Sequence, residues 1–170
     1  HSQKMTLFQN LTLPFNLGKK RQYVLFAQEK SVFAVYLMGV REVLPSKEQT
    51  ITPIANTLPF LLGLTNLRGE ILAVADFGKF INAEAVDRFA EDTRILIVEA
   101  PNPDDVKLPM MRLGLAVSRV EGVVPLDPDE IVSAEETSEE LVPFLRGLYN
   151  YRGRLVMVLD VEAIANSDRW

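Results

Sequence analysis

The sequence predicts an all-β domain built from two similar halves. The eighteen residues Pro59–Asp76 (PFLLGLTNLRGEILAVAD) recur 84 positions later as Pro143–Asp160 (PFLRGLYNYRGRLVMVLD), with ten positions identical. In addition, short apolar runs rich in β-branched residues alternate with turn formers, which is typical of a sandwich or a pair of small barrels. A repeated element of this size indicates a duplicated subdomain, so we expect two halves that share one architecture.

Each copy of the repeat is expected to form a β-hairpin. An apolar approach leads to an Asn-x-Arg-Gly corner, and an apolar run that ends in Asp follows. Gly69 and Gly153 supply the restricted backbone geometry that a tight hairpin turn demands. The aspartates that end the two copies are expected to be helix N-caps, Asp76 for a short helix through Asn82 and Asp160 for one over Val161–Ala165.

The remaining strands follow the same order in each half. Two apolar runs joined by a polar turn predict a hairpin, and an alternating run that ends at a proline predicts a half-buried strand. The predicted strands are Gln22–Ala27, Ser31–Leu37 and Val40–Leu44 in the first half, and Arg94–Glu99, Leu113–Val117 and Val120–Pro125 in the second. The charged linker at 83–92 is expected to continue the first short helix.

These elements define the expected domain organisation. One domain covers residues 22–166, with duplicated halves at about 22–82 and 93–165. Residues 1–21 are expected to form an N-terminal arm, in which His1 and Ser2 precede the first methionine and are interpreted as a cloning remnant ahead of a native start at Met5. No run of 18 or more apolar residues occurs, so no membrane insertion is expected.

Composition limits the possible partners and chemistry. The chain of 170 residues has no cysteine and one histidine, His1, so disulfides and Cys or His metal sites are not expected. The net charge of −5 is concentrated in 127–140, which holds seven acidic residues and no basic one. That stretch is interpreted as a solvated loop, with a docking surface for a basic partner as the alternative. No basic stripe is present for nucleic acid.

Two patterns that suggest catalysis are weak. Asp76-Phe77-Gly78 matches the metal-binding triplet of protein kinases, but the other kinase motifs are missing. Asp76 and Asp160 invite comparison with the paired carboxylates of aspartic proteases, but the residues that follow them differ from that pattern. A carboxylate-based enzyme therefore remains only as a third hypothesis, no cofactor is expected, and catalysis is disfavoured.

Arg68 and Arg152, the arginines of the two corners, allow two interpretations. Each guanidinium could pair with a local carboxylate or carbonyl and fix its hairpin. Alternatively, Arg68 could project from the hairpin tip and contact a partner, since arginine is enriched in interface hot spots. The residues alone do not decide between these interpretations.

Several of these residues resemble the CheW family of chemotaxis coupling proteins. The match rests on Ile54-Ala55-Asn56-Thr57, on Gly63-Leu64-Thr65-Asn66-Leu67-Arg68-Gly69-Glu70, and on the preceding Val40-Arg41-Glu42-Val43. The resemblance covers Gln22 to Ile164. It implies two packed five-stranded SH3-like β-barrels with short connecting helices, and a non-enzymatic adaptor that joins chemoreceptor tips to a CheA-type histidine kinase in the cytoplasm.

The resemblance also implies site residues. Arg68, Gly63 and Val40 match positions tied to receptor coupling, whereas Leu37, Ser31 and Glu42 match positions tied to the kinase. The first hairpin departs from the family pattern, because Ala73 stands where a proline is usual. The sequence is as consistent with a PilI-type adaptor, which serves type IV pilus motility, as with a flagellar one. The alternative function is a stand-alone SH3-like module that binds a peptide or small ligand.

Overall fold

The computed structural model describes residues 18–55, 58–105, 107–134 and 140–170, and in these ranges the regular secondary structure is mostly β-strand. Most of the predicted N-terminal arm and the centre of the acidic stretch lie outside the described residues. The strands are β1 (Arg21–Gln28), β2 (Ser31–Tyr36), β3 (Val40–Pro45), β4 (Leu61–Leu67), β5 (Glu70–Asp76), β6 (Arg94–Ala100), β7 (Met111–Val117), β8 (Arg119–Leu126), β9 (Leu145–Tyr151) and β10 (Arg154–Leu159), with helices α1 (Phe77–Phe80) and α2 (Val161–Ala165).

The strands form two five-stranded sheets of identical pattern. Sheet I has the order β8-β1-β2-β10-β9, and sheet II has the order β3-β6-β7-β5-β4. Each sheet therefore contains strands from both halves of the sequence. In each, one parallel pair, β2–β10 or β7–β5, joins strands of different halves, and the other neighbours are antiparallel. The architecture is that of two SH3-like barrels, as expected.

Local sequence signals predicted the elements well. All six strands predicted outside the repeat are present, and both repeats form antiparallel hairpins. Asp76 and Asp160 cap the helices, because their Oδ1 atoms accept hydrogen bonds from the backbone N–H groups of Lys79 and Ala163, each at 3.1 Å. The repeated aspartates thus have the same structural role.

The expectation that the linker continues the first helix is wrong. Helix α1 ends at Phe80, and Asn82 has a positive φ of 60°. The linker then runs back toward Asp76, whose carboxylate accepts hydrogen bonds from Val86 N at 3.0 and 3.1 Å. Val86 is buried, so its burial and its hydrogen bonds hold the linker in an extended path rather than a helix.

Three apolar clusters hold the body together. The largest lies between the sheets and includes a tight aromatic group, in which Phe77 contacts Phe26 and Phe33 edge-on at centroid distances of 5.2 and 4.9 Å. A smaller cluster fills each barrel, with Tyr23 and Val156 in sheet I and Ile95 and Val74 in sheet II. The central cluster is continuous between the barrels, so the two barrels pack as one body.

Gly78 allows the linker to approach α1. A Cβ atom on Gly78 would lie 1.9 Å from Glu84 O and 2.9 Å from Gln28 Nε2, and both distances are shorter than van der Waals contact. By contrast, a Cβ on Gly39 would have no neighbour closer than 3.7 Å. The two glycines therefore form a matched test of this contact.

We predict that Gly78→Ala destabilises the protein by at least about 1–3 kcal/mol, because the extra methyl group must displace the linker backbone. Gly39→Ala should change stability far less. Urea unfolding followed by circular dichroism measures both values. Equal effects of the two substitutions would contradict the described packing of the linker on α1.

Candidate interaction surface

The Asn-x-Arg-Gly corners of the two repeats are two-residue turns with positive φ at both central residues. Arg68 and Gly69 have φ of 51° and 86°, and Arg152 and Gly153 have 52° and 83°. This is the backbone sign pattern of a type I′ hairpin turn. The asparagine that opens each corner fixes the turn: Asn66 Oδ1 accepts from Gly69 N at 2.8 Å, and Asn150 Oδ1 accepts from Gly153 N at 2.9 Å. The motif therefore encodes the turn itself.

Arg68 closes the barrel of sheet II. Strands β3 and β4 are the two edges of this sheet, and the Arg68 guanidinium, at the β4–β5 turn, donates a hydrogen bond to Glu42 Oε1 on β3. The Glu42 side chain is only 6% exposed, whereas the Arg68 side chain is 60% exposed. The first interpretation of Arg68 is confirmed, because it pairs with a local carboxylate. Most of its side chain still faces solvent, and contact with a partner stays a prediction.

The ion pair is not complete. Glu42 Oε2 is buried and has no hydrogen-bond partner among the described residues. A buried charged group with one ordered partner depends on that partner, because an unpaired buried charge is costly. Glu42 therefore holds Arg68 at a defined place on the surface, and Arg68 in turn stabilises Glu42.

Arg152 has a different environment. The segment Val120-Glu121-Gly122 corresponds to Val40-Arg41-Glu42, so a glycine stands where Glu42 would be. Among the described contacts Arg152 has no ion pair, and its guanidinium lies 5.3 Å from the centroid of the Tyr151 ring. The two corner arginines share a backbone conformation but not a partner.

Sequence reasoning did not identify the charged residues around Arg68. Arg112 on β7 donates to Glu99 at 3.0 Å and to both carboxylate oxygens of Glu70 at 3.1 Å, and Arg41 lies 3.8 Å from Glu99. The hydrogen bonds that Arg112 donates, first to Glu99 and then to Glu70, raise its pKa. The cleft beside Arg68 is lined by Arg41, Leu67, Gly69, Glu70, Ile97 and Arg112. The face thus presents three arginines and two carboxylates, which only the fold brings together.

The other two residues that the resemblance assigns to receptor coupling lie inside the protein. Val40 is fully buried at the start of β3. Gly63 has φ of 148°, and a Cβ there would lie 2.2 Å from Thr52 O, because the chain at Thr52 pairs with β4 at this point. Both residues can therefore affect a partner only through the position of β3 and β4, which carry Glu42 and lead to Arg68.

The kinase-coupling positions do not form one patch. Ser31 begins β2 and is half-buried, whereas Leu37 follows the last residue of β2 and is buried. They lie at opposite ends of a six-residue strand, a separation of about 20 Å. Glu42 is buried under Arg68. The assignments of these residues to a kinase surface stay predictions, and Met38, which is 58% exposed beside Leu37, is the accessible residue there.

The described residues give no support to a carboxylate-based active site. Burial raises the pKa of Asp76, while backbone hydrogen bonds from Lys79 and Val86 oppose that shift. The carboxylate thus already accepts hydrogen bonds from the backbone of the protein. Among the described residues, no group of three or more His, Cys, Asp or Glu side chains could hold a metal ion. Likewise, no helix in the described ranges is long and apolar enough to cross a membrane.

The fold is similar to that of a solved scaffold protein. The crystal structure of the scaffolding protein TtCheW from Thermoanaerobacter tengcongensis superposes with a TM-score of 0.72, covering 89% of this chain and 96% of that one at 23% identity. The likeness shows the shared architecture of two barrels.

Comparison of the sequence identifies the family. Residues 22–169 match the CheW-like domain, and the chain therefore belongs to the CheW-like family. Similar proteins include the chemotaxis protein CheW of Rhizobium meliloti, 25% identical over 150 residues (87% of this chain and 89% of that protein), and that of Klebsiella aerogenes, 24% identical over 149 residues (87% and 83%). CheW of Thermotoga maritima is 27% identical over 118 residues, 69% of this chain and 71% of the relative.

We predict that Arg68→Ala destabilises the protein by about 1–3 kcal/mol, because it leaves a buried carboxylate without its cation. Arg152→Ala, in the same turn geometry, should cost no more than about 0.5 kcal/mol. Adding Glu42→Gln to Arg68→Ala removes the unpaired charge and should recover part of the loss. Chemical denaturation of the four proteins measures these differences. Equal losses of stability in Arg68→Ala and Arg152→Ala would show that the ion pair between Arg68 and Glu42 does not stabilise the barrel.

A different ion pair closes the barrel of sheet I, and it predicts that the stability of the protein depends on pH. Arg154 donates to Glu121 at 2.8 and 3.1 Å, and this hydrogen bonding lowers the pKa of Glu121. When folding lowers the pKa of a carboxylate, the ionised group stabilises the folded protein at pH values above its unfolded-state pKa, near 4.3. This stabilisation disappears as the pH falls through the folded-state pKa. The stability difference between wild type and Glu121→Gln should therefore shrink on acidification from about pH 6 to pH 3.

The matched control is Glu48→Gln, an exposed carboxylate with no ion pair among the described residues. Urea unfolding at several pH values measures all three proteins. A stability difference for Glu121→Gln that stays constant from pH 6 to pH 3 would show that the ion pair contributes nothing.

Proposed function

We propose that this chain is a non-enzymatic scaffold that couples the cytoplasmic tips of methyl-accepting chemoreceptors to a CheA-type histidine kinase. The observation that carries the proposal is the family match over 22–169, which spans both barrels. The relatives named above are chemotaxis proteins, and the similar solved structure is that of a scaffolding protein. Residues of this chain then serve binding rather than chemistry, and its place is the cytoplasm, where both proposed partners present these domains.

The receptor surface proposed here is the face around Arg68. The guanidinium is exposed, it is held at a fixed position by Glu42, and the cleft beside it also contains Arg41 and Arg112. Such a face suits a partner that offers carboxylate or amide oxygens, because arginine binds these groups with directional hydrogen bonds. Val40 and Gly63 support the surface from below, by fixing β3 and β4.

The kinase surface proposed here has two parts at opposite ends of β2, because residues 32–35 between them are buried. Ser31 contributes at one end, and at the other end Leu37 anchors the turn that exposes Met38. Glu42, the third residue assigned to the kinase, lies on the strand that follows this turn and is buried beneath Arg68. The motility system, flagellar or type IV pilus, stays open.

We predict that the protein binds the regulatory domain of its CheA-type kinase in a one-to-one ratio, and binds a receptor-tip fragment separately. Arg68→Ala should weaken receptor binding at least tenfold and leave kinase binding within about threefold, because only the receptor face loses a contact residue. Met38→Asp should weaken kinase binding at least tenfold and leave receptor binding within about threefold. Leu37 is unsuitable for this test because it is buried. Isothermal titration calorimetry measures each pair.

Arg152→Ala is the control, since it removes an exposed arginine from an equivalent turn that lacks the Glu42 contact. It should change neither affinity. Absence of binding to both partners at high micromolar concentrations would overturn the adaptor function, and equal loss of both affinities in Arg68→Ala would overturn the assignment of separate faces.

A further inference from the structure

The duplication allows the two barrels to be compared position by position. Strands β8, β1, β2, β10 and β9 of sheet I take the places of β3, β6, β7, β5 and β4 of sheet II. The registers give matching residues: Tyr23 pairs with Tyr36 as Ile95 pairs with Ala116. The bridge from Val132 to Leu148 likewise repeats that from Thr52 to Leu64. A feature present in one barrel can therefore be sought at the same place in the other.

In sheet II, the chain itself fills the mouth of the barrel. Val86 belongs to the buried cluster that includes Ile51, Ile95 and Ala116, with Leu62 packed against it. Its backbone N–H donates to the Asp76 carboxylate. Two residues further on, the Arg88 guanidinium donates to the carbonyl oxygens of Ser46 at 3.0 Å and Gln49 at 3.1 Å. The linker is thus an extended peptide seated in a barrel mouth.

In sheet I, none of the described residues fills the corresponding place. The positions that match Ile51, Ile95, Ala116 and Leu62 are Ile131, Tyr23, Tyr36 and Arg146, and these four side chains line an open groove of about 470 Å³ together with Arg21 and Pro128. The tyrosines are larger than the residues they replace, yet Tyr36 is still 39% exposed. The mouth of sheet I is therefore narrowed but not closed.

The aspartate of sheet I that corresponds to Asp76 makes fewer hydrogen bonds. Asp76 is buried and receives the N–H of Val86, whereas the side chain of its counterpart Asp160 is 28% exposed. Asp160 caps α2 and lies 3.7 Å from Arg146. Its second oxygen, Oδ2, has no described hydrogen bond comparable to that from Val86 N, so it is available to a backbone N–H of a bound peptide.

The charge of the groove indicates the ligand. Arg21 and Arg146 stand where sheet II has Thr93 and Leu62, so two guanidinium groups line the mouth of sheet I. Beside the lining residue Pro128, the acids Asp127, Asp129 and Glu130 stand where sheet II has Lys47, Gln49 and Thr50. The Arg21 guanidinium donates only to the carbonyl oxygens of Gly18 and Lys20 and has no ion pair among the described residues. Burial raises the pKa of Tyr23, while the nearby Arg146 charge acts in the opposite direction. The groove thus combines apolar ring surface with guanidinium groups that can donate hydrogen bonds to a carboxylate.

We propose that the mouth of sheet I binds an extended acidic peptide of a partner protein. A small apolar side chain of the peptide occupies the place that Val86 occupies in sheet II, against Tyr23 and Ile131, and a carboxylate two residues later lies between Arg21 and Arg146. The peptide backbone donates to Asp160. This inference rests on the internal duplication and does not depend on the proposed receptor or kinase partners.

The chain supplies the probe for its own test. A labelled, end-capped peptide with the sequence of residues 84–90 but with Arg88→Glu (EAVDEFA) keeps the apolar residue that fills sheet II and replaces its cation by an acid. Fluorescence anisotropy with the full chain should show saturable binding with a Kd of about 100 µM, a weak affinity typical of a short flexible ligand. The same peptide with Val86→Asp should bind at least tenfold more weakly.

Variants of the protein test the location. Arg21→Glu and Arg146→Glu, singly and together, should weaken peptide binding at least tenfold, with thermal unfolding used to confirm that each variant is folded. The charge-matched control combines Lys30→Glu with Arg152→Glu, two exposed residues outside the groove, and should bind the peptide as wild type does.

Several results would overturn the proposal. Absence of saturation up to about 1 mM would do so, as would equal weakening in the control, which would indicate attraction by net charge alone. Binding that appears only after Glu135→Gln and Glu136→Gln would show that the chain's own acidic stretch occupies the mouth, rather than a partner.

Discussion

Phe77 occupies the junction on which the rest of this structure depends. It follows the last residue of β5 in sheet II, and its ring packs edge-on against both Phe26 and Phe33 of sheet I, all three being fully buried. Edge-to-face rings at this distance are favourable in themselves and also bury a large apolar area. Because protein interiors are close-packed, the rings cannot slide without opening a void. The angle between the barrels is therefore fixed by the core.

The distribution of strands strengthens that junction. Each sheet contains strands from both halves of the sequence, joined by parallel contacts between β2 and β10 and between β5 and β7. Separation of the barrels would therefore require chain crossings to be pulled apart as well as the aromatic core. A scaffold needs this property, since two surfaces on one rigid body keep their distance and orientation when partners bind.

Duplication followed by changes of charge explains how one fold presents unlike surfaces. In sheet II the barrel is closed by Arg68 and Glu42, whereas in sheet I it is closed by Arg154 and Glu121. The corner arginine of the second copy, Arg152, is left without an ion pair among the described residues. The same divergence leaves one barrel mouth filled by the linker and the other lined by tyrosines and arginines.

The sequence predicted those features that depend on neighbouring residues. The corner asparagines and glycines, the aspartate caps and the strand boundaries are local, and both the repeat and the short-range patterns reveal them. The path of the linker could not be predicted in this way, because charged and alanine-containing residues favour a helix while Val86 is held by the distant Asp76. Likewise, the pairing of Arg68 with Glu42 depends on the curvature of a sheet, which joins residues 26 positions apart. The residue assignments by resemblance named both partners but not their contact.

We propose that one rigid body binds a receptor and a kinase at the same time. Analytical ultracentrifugation of a receptor-tip fragment, the kinase regulatory domain and this protein measures that directly. We expect a ternary species whose mass equals one copy of each component and which is absent when this protein is omitted. Two binary complexes that displace each other, with no ternary species at saturating concentrations, would contradict it.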